Sequence, residues 1–428
     1  MHPASRGGRG RWARTFTSLG EANYRRFFIG QSLSMIGTWM QAVAQSWLVL
    51  QLSRSGTVLG LVVAVQTLPV LFLAPYGGLL VDRADKRRLL LATQASFAVL
   101  ALVLGALSAT GTVRLWMVVV LAVALGLVNS VDNPARQAFV PEIVQPDMVA
   151  NAVTLNSVMT NAARAIGPAI AGLAIVASGV SVCFFLNAVS FVAIIVALLR
   201  MDPAQLRRPA PAARKNGQVV EGLRYVARTP RLLTPLLMMA LVGALSYEFQ
   251  VTLPLMAQRT FHAGAGTYGF MTAAFGAGAV LGGLLVAGRR PRGLRSVIAA
   301  AFAFGVTLLA AAVAPTLALE LVVLVLVGWA SVAFMARGNS ILQLTAVPRM
   351  RGRVMALWAV AFIGTTPIGG PIVGYIAQHT SPRWALAVGG FAALGAVVLG
   401  LYPRYRGPAT GPGRQPPSDL LPPGAGPS

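Results

Sequence analysis

The chain has 428 residues, of which 56% are hydrophobic and only 11% charged, and its mean hydropathy is +0.70. An ordinary soluble protein carries roughly 25% charged residues, so a soluble enzyme, a nucleic-acid-binding domain and a disordered chain are excluded, and a polytopic membrane protein remains. The net charge of +24 then bears on placement across a bilayer rather than on nucleic acid.

A helix that crosses a bilayer needs about 20 mostly apolar residues. Residues 1–26 are a basic N-terminal segment. Six apolar runs follow at 27–50, 58–80, 89–109, 115–136, 150–176 and 182–199, and they define a first bundle over 27–200. Residues 201–232 form a linker with Pro203, Pro209, Pro211 and many arginines; within it, 219–226 reads as a short surface helix. Six further runs at 233–257, 267–287, 296–313, 319–340, 354–377 and 384–402 define a second bundle over 233–402. Residues 403–428 are rich in Pro and Gly and are expected to be disordered. Connections such as Leu50 to Val58 and Ala177 to Val182 are too short to hold a domain, so each such pair is an antiparallel hairpin. The expected class is an all-α integral membrane protein with twelve transmembrane helices in two pseudo-symmetric six-helix bundles.

Of the 35 Lys and Arg, 29 fall on the side of the N-terminus and 4 (Arg54, Arg114, Arg259, Arg383) on the other, while Arg164 and Arg337 lie inside spans. Positive residues mark the cytoplasmic side. Both termini and the linker are therefore expected in the cytoplasm, with the chain in a bacterial cytoplasmic (inner) membrane; the dominance of Arg over Lys, with abundant Ala, Gly and Pro, points to a GC-rich bacterium. The charge alternation also supports an even number of spans. Trp116 and Trp384 fall at the outer interface, as belt residues do, whereas Trp39, Trp329 and Trp358 lie deep in spans. Arg25-Arg26-Phe27-Phe28 followed by Ala42-Val43-Ala44 mimics a twin-arginine signal, but eleven further spans would then have to start from a cleaved end.

Cys183 is the sole cysteine, and the histidines are His2, His262 and His379. None of these has metal-ligand spacing, so neither a metal nor a cofactor is expected. Neither Lys86 nor Lys215 follows a phosphate-binding glycine loop, so the chain carries no nucleotide-driven motor. The spans hold no nucleophile–base pair, which argues against an intramembrane enzyme.

Two echoes suggest an internal repeat. Gly77-Gly78-Leu79-Leu80-Val81 closes span 2, and Gly282-Gly283-Leu284-Leu285-Val286 closes span 8. Gly167-Pro168 in span 5 answers Gly370-Pro371 in span 11. Parallel six-span repeats place a binding site between the halves, near the bilayer midplane.

The stretch from Gly78 to Arg88 resembles the loop 2–3 signature of the major facilitator superfamily: a glycine, three residues, Asp-Arg, one residue, a glycine and two basics. Gly78, Asp82, Arg83, Lys86 and Arg87 match, Asp85 stands where the family has glycine, and the second-half copy has Ala287 opposite Asp82. Ala163 to Gly172 resembles the Gly-Pro signature of span 5 in the superfamily's antiporters. Gly167, Pro168 and Gly172 carry it, and Ala163 and Ala171 replace glycines. The run from Asp132 to Glu142, with Asn151-Ala152, Asn161 and Asn23-Tyr24-Arg25-Arg26-Phe27, is similar to the branch of enterobactin exporters and macrolide-efflux proteins. The resemblance implies the major facilitator fold and an efflux antiporter, of the kind that confers siderophore export or drug resistance.

The residues themselves point to sites. Asn129, Asp132, Asn133 and Arg136 fall at i, i+3, i+4 and i+7, on one face of span 4. Asp132 and Arg136 can pair along the helix, either as a helix anchor or as coupling groups. Ser157, Asn161, Arg164 and Pro168 share a face of span 5, with a bend expected at Gly167-Pro168. Arg164 lies about 21 Å of helical rise beyond Ala150, too deep to reach the cytoplasm easily. A guanidinium there must face water, a carboxylate or an anionic ligand. Glu248 is expected at similar depth in span 7, where it binds and releases the coupling proton and pairs with Arg164 in one state; the alternative is a hydrated outer vestibule. Asp82, with Arg83 and Arg87, reads as a cytoplasmic gate latch, built from contacts individually worth about 0–1 kcal/mol, or as ordinary positive-inside anchoring. Ser34, Thr38, Gln41 and Gln45 run along span 1 beside Trp39 as cavity lining, with Tyr247, Trp329, Phe334 and Trp358 as aromatic wall or packing.

These readings converge on a monomeric secondary active transporter. It would export a small amphiphilic solute by proton-coupled alternating access, with protons, the solute and membrane lipid as its partners and no nucleic acid. The alternatives are a proton-coupled nutrient importer of the same fold and a non-transporting receptor or assembly subunit.

Overall fold

The structure is a computed structural model, and it describes residues 17–207, 218–287 and 293–402. Every regular element among the described residues is helical. The first half comprises α1 (Ala22–Ser53), α2 (Gly56–Arg83), α3 (Lys86–Ala109), α4 (Leu115–Phe139), α5 (Val149–Ser178) and α6 (Val180–Leu199). The linker helix α7 (Gln218–Ala227) follows. The second half comprises α8 (Pro230–Leu245), α9 (Phe249–Leu255), α10 (Ala265–Ala287), α11 (Leu294–Val313), α12 (Leu317–Thr345), α13 (Arg351–Ile363), α14 (Thr366–His379) and α15 (Pro382–Leu401). The terminal stretch from residue 403 and most of the basic N-terminal segment lie outside the described residues.

Eleven of these spans are long and apolar enough to cross a membrane. The twelfth, α1, is 32 residues long yet falls short in hydropathy, because Gln31, Ser34, Thr38, Gln41 and Gln45 face an internal cavity rather than lipid. Large apolar side chains such as Leu173, Val176, Val189, Phe302 and Val398 stand more than half exposed around the outside, as a lipid-facing girdle requires.

Two spans expected to be single helices are broken. Span 11 is interrupted between α13 and α14 at Gly364 and Thr365, which keep right-handed helical dihedrals. Pro367 explains this: it offers no N–H to the preceding turn, and it disfavours helical geometry at Thr366. Span 7 breaks between α8 and α9, at Ser246, Tyr247 and Glu248. No proline sits at that break; the Ser246 hydroxyl instead donates to the Gly389 carbonyl at 2.6 Å.

Cross-half packing depends on glycine. On the side of the bundle remote from the chain termini (the far side), a Cβ at Gly60 would collide with the Gly370 backbone, and one at Gly374 with that of Gly56. These contacts join α2 to α14. In the corresponding pair, α5 to α10, a Cβ at Gly172 would lie 2.9 Å from the Gly266 carbonyl oxygen, and one at Gly269 2.6 Å from the Gly172 Cα. The two halves thus meet through equivalent spans, consistent with the repeat.

The hydrogen bonds that join the halves also lie on the far side. Arg259 donates to the Arg54 carbonyl at 3.0 Å and to Gln378 Oε1 at 2.7 Å, and that same oxygen accepts the Gly56 N–H at 2.8 Å. Arg54 supplies this carbonyl from a left-handed C-cap (φ 52°). On the terminus side, described polar contacts tie spans of the first half to one another and the linker helix to the second half. Lys86 pairs with Glu142 at 2.6 Å, Arg87 donates to the Leu198 and Leu199 carbonyls at 2.7 and 3.0 Å, and α7 docks on the second half through Arg353–Glu221 at 2.7 Å.

Candidate functional site

Span 1 sets the wall of the site. Its polar face, with Trp39 beside it, lines a cavity of about 240 Å³ together with residues from α2, α3, α4 and α6. Ser34, Gln41 and Gln45 are buried, and Thr38 is open to the cavity. The amides bond to one another: Gln45 donates to Gln66 at 2.8 Å, and Asn187 to Gln41 at 2.7 Å. Gln250, next to the span 7 break, is the lining residue from the second half.

Span 4 supplies the charges. Asn129, Asp132, Asn133 and Arg136 all line the cavity, as their spacing predicts. Asp132 Oδ2 lies 3.3 Å from Arg136 Nη2, while Oδ1 accepts from Thr93 at 2.7 Å and Gln94 at 2.8 Å. Arg136 also donates to Asn133 at 2.6 Å and contacts the Met35 sulfur at 3.1 Å. The carboxylate is thus paired and fully hydrogen-bonded inside the wall.

Arg164 on α5 stands behind that wall. Its guanidinium carbon sits over the Trp39 ring, 4.9 Å from the centroid. Gly167, one turn further along, allows the approach: a Cβ there would lie 2.6 Å from the Ile36 carbonyl oxygen and 2.7 Å from the Trp39 Cβ. From the second half, Tyr247 comes close enough to feel the Arg164 charge, with its hydroxyl donating to the Ser331 carbonyl at 2.8 Å. Three spans from both halves therefore converge at Arg164, in the crevice between the halves.

Glu248 follows Tyr247 but faces elsewhere. It is buried, beside Thr366 and against the glycines Gly369 and Gly370 of α14, and its Oε1 accepts no hydrogen bond. A hydrated vestibule does not describe this position. Among the described residues, Glu248 and Arg164 form no ion pair. Asn161 bonds back to the Ser157 carbonyl of its own helix at 2.9 Å and does not line the cavity. Trp358 is buried against Gly338 in the second half, and Phe334 is core. Helix α5 runs unbroken through Pro168, and Gly167 and Gly172 serve close packing on α1 and α10.

Of the loop 2–3 motif, Lys86 and Arg87 fasten α3 to the ends of α4 and α6, and Arg83 is exposed. The side chains of Gly78 and Asp82 lie outside the described residues. Asp85 caps α3 by accepting the Arg88 N–H at 3.1 Å, with φ −68°. The turn therefore needs no positive φ, and no glycine, at this position. Sequence reasoning missed Thr93, Gln94, Gln66, Asn187 and Gln250. Each is a polar residue inside an apolar span, and that was the available signal.

Long helices in two equivalent halves, eleven of them apolar enough to cross a membrane among the described residues, form the major facilitator fold. Residues 13–417 match the model of the transmembrane secretion effector family, and the chain belongs to that family. Its members are transporters rather than enzymes. The chain is 28% identical to the multidrug efflux pump Tap of Mycolicibacterium fortuitum, over 80% of this chain and 86% of that protein. It is 23% identical to the enterobactin exporter EntS of Escherichia coli, over 87% and 89%. A match of 29% identity to the staphyloferrin A transporter of Staphylococcus aureus covers 40% of this chain and 44% of that protein. Among solved structures, a bacterial homologue of the lysosomal transporter Spinster, inward-facing and unoccupied, superposes with a TM-score of 0.68 at 14% identity, covering 88% of this chain and 94% of that one. A bacterial homologue of ferroportin, also inward-facing, superposes with a TM-score of 0.68 at 16% identity, over 90% and 99%.

Proposed function

We propose that the protein exports a small amphiphilic solute, siderophore-like or drug-like, by proton-coupled alternating access. The observation that carries this reading is the crevice itself. Trp39, Arg164 and Tyr247 approach one another from both halves beside an amide-lined cavity, while glycine contacts and the Arg259–Arg54 and Gln378–Gly56 bonds join the halves on the far side. The names of the Tap and EntS relatives support outward transport. The lysine and arginine bias supports cytoplasmic termini, which makes the far side the outer face and this conformation open toward the cytoplasm. Glu248 is the proposed proton carrier. It is a buried carboxylate at the break in span 7, packed against span 11, where protonation would change the contact between two discontinuous helices. The loop 2–3 motif, with Asp82 and Arg83, is the proposed cytoplasmic gate once the halves rock.

Two experiments test this. An efflux-deficient bacterial host expressing the chain is grown on a panel of toxic amphiphiles, and raised tolerance to at least one is expected. Everted vesicles from that host then take up the same compound when their lumen is acidified. Uptake that is indifferent to lumen pH removes the proton coupling. Movement only out of the everted vesicles makes the protein an importer.

A further inference from the structure

A charge without an ion-pair partner stands over Trp39, behind the wall of the amide-lined cavity. We infer that Arg164 is the recognition group for an anionic moiety on the solute, so that the transported class is carboxylate-bearing aromatic amphiphiles. This rests on the reading of the protein as a transporter with its site in the crevice.

The other charged side chains near the crevice are accounted for. Asp132 is neutralised by Arg136 and accepts two further hydrogen bonds. Glu248 is turned toward Gly369 and Gly370, 4% exposed. Arg164, like Glu248, has no counter-ion, but a guanidinium keeps its charge: among the described residues it makes no ion pair and no hydrogen bond, and its buried Nε is unpartnered. Its one polar contact is with the face of Trp39, and a cation–π contact uses none of the five N–H donors. Those donors form a fork suited to a two-oxygen anion. An unpaired arginine at membrane depth is costly, and a ligand anion relieves that cost only while it is bound.

The surroundings define the rest of the ligand. Trp39 lies under the guanidinium and Tyr247 is within reach of its charge, and the Tyr247 ring packs edge-on against Phe362 at 5.1 Å and Phe249 at 6.3 Å. An aromatic body attached to the anion therefore finds aromatic neighbours, and its remaining hydroxyl or carbonyl groups face amides rather than charges. The cavity beyond Trp39 offers Gln94 Oε1 as a buried acceptor without a donor, which a ligand hydroxyl would satisfy.

The test uses the full chain in lipid nanodiscs and three probes of one shape: 1-naphthoate, 1-naphthamide and 1-naphthylmethylammonium. Equilibrium binding is measured by competition and by tryptophan fluorescence. The wild type is expected to bind naphthoate at least about tenfold more tightly than the other two, the margin of a charge-assisted bond. Arg164→Gln is expected to erase that margin by weakening naphthoate binding at least about tenfold, and Arg164→Lys to restore part of it. Equal affinity for the three probes, absence of naphthoate binding, or an unchanged preference in Arg164→Gln overturns the inference. The wild-type series alone decides the matter if a variant does not fold. Because binding is read without transport, anion preference in a protein that moves nothing would sink the export reading only, and charge-blind export would sink this one only.

Discussion

At the scale of single residues, buried charges in this protein divide into those neutralised in place and those held in reserve. Asp132 belongs to the first kind. Removing its charge strands Arg136 in a partly buried position, which costs about 1–3 kcal/mol. Asp132→Asn should therefore lower the unfolding midpoint in detergent, and Asp132→Asn with Arg136→Gln should recover much of the loss. If the double variant is as unstable as the two single losses added together, the pair is not coupled. Glu248 belongs to the second kind. Glu248→Gln is isosteric, so folding should persist while lumen acidification no longer drives uptake into everted vesicles. Full pH-driven uptake by this variant would remove Glu248 from the coupling.

At the scale of elements, the far-side contacts between α2 and α14 and between α5 and α10 need bare backbone. Gly60→Val places a side chain on the Gly370 carbonyl, and no rotamer avoids it. The expected result is a population shifted away from the present conformation, seen as faster maleimide labelling of a cysteine at Thr57→Cys in a Cys183→Ala background. Arg259→Ala should act in the same direction, more weakly, because it removes hydrogen bonds without adding bulk. Labelling slower than in the parent for either variant would mean that these contacts do not hold the far side shut. The element scale also shows what the sequence made legible. Apolar runs located every span to within a few residues, because lipid demands continuous hydrophobicity. The face of Asn129, Asp132 and Arg136 was readable because a helical period puts those positions together. The unwinding at Glu248 was not readable: no proline marks it, and the Ser246–Gly389 contact that accompanies it is made to a span far along the chain. The separation of Arg164 from Glu248 was equally hidden, since similar depth on two helices says nothing about the direction each side chain faces. Trp358 and Asn161 illustrate the same limit, because a polar or aromatic residue in a span serves packing or its own helix as readily as a cavity.

At the scale of the molecule, the architecture sets an amide-lined cavity in the first half against Gln250 of the second, with glycine contacts joining the halves on the far side. Such a protein moves solute only if the touching side alternates, and the contacts that close each side are individually weak enough to exchange. The most direct measurement is a pair of spin-label distances across the halves in a Cys183→Ala background. One pair, Gly111→Cys with Thr380→Cys, reports the far side; the other, Gln145→Cys with Arg349→Cys, reports the terminus side. Across changes of pH and on addition of a transported amphiphile, the account predicts that one distance lengthens as the other shortens. Distances that stay fixed, or that lengthen and shorten together, would contradict it.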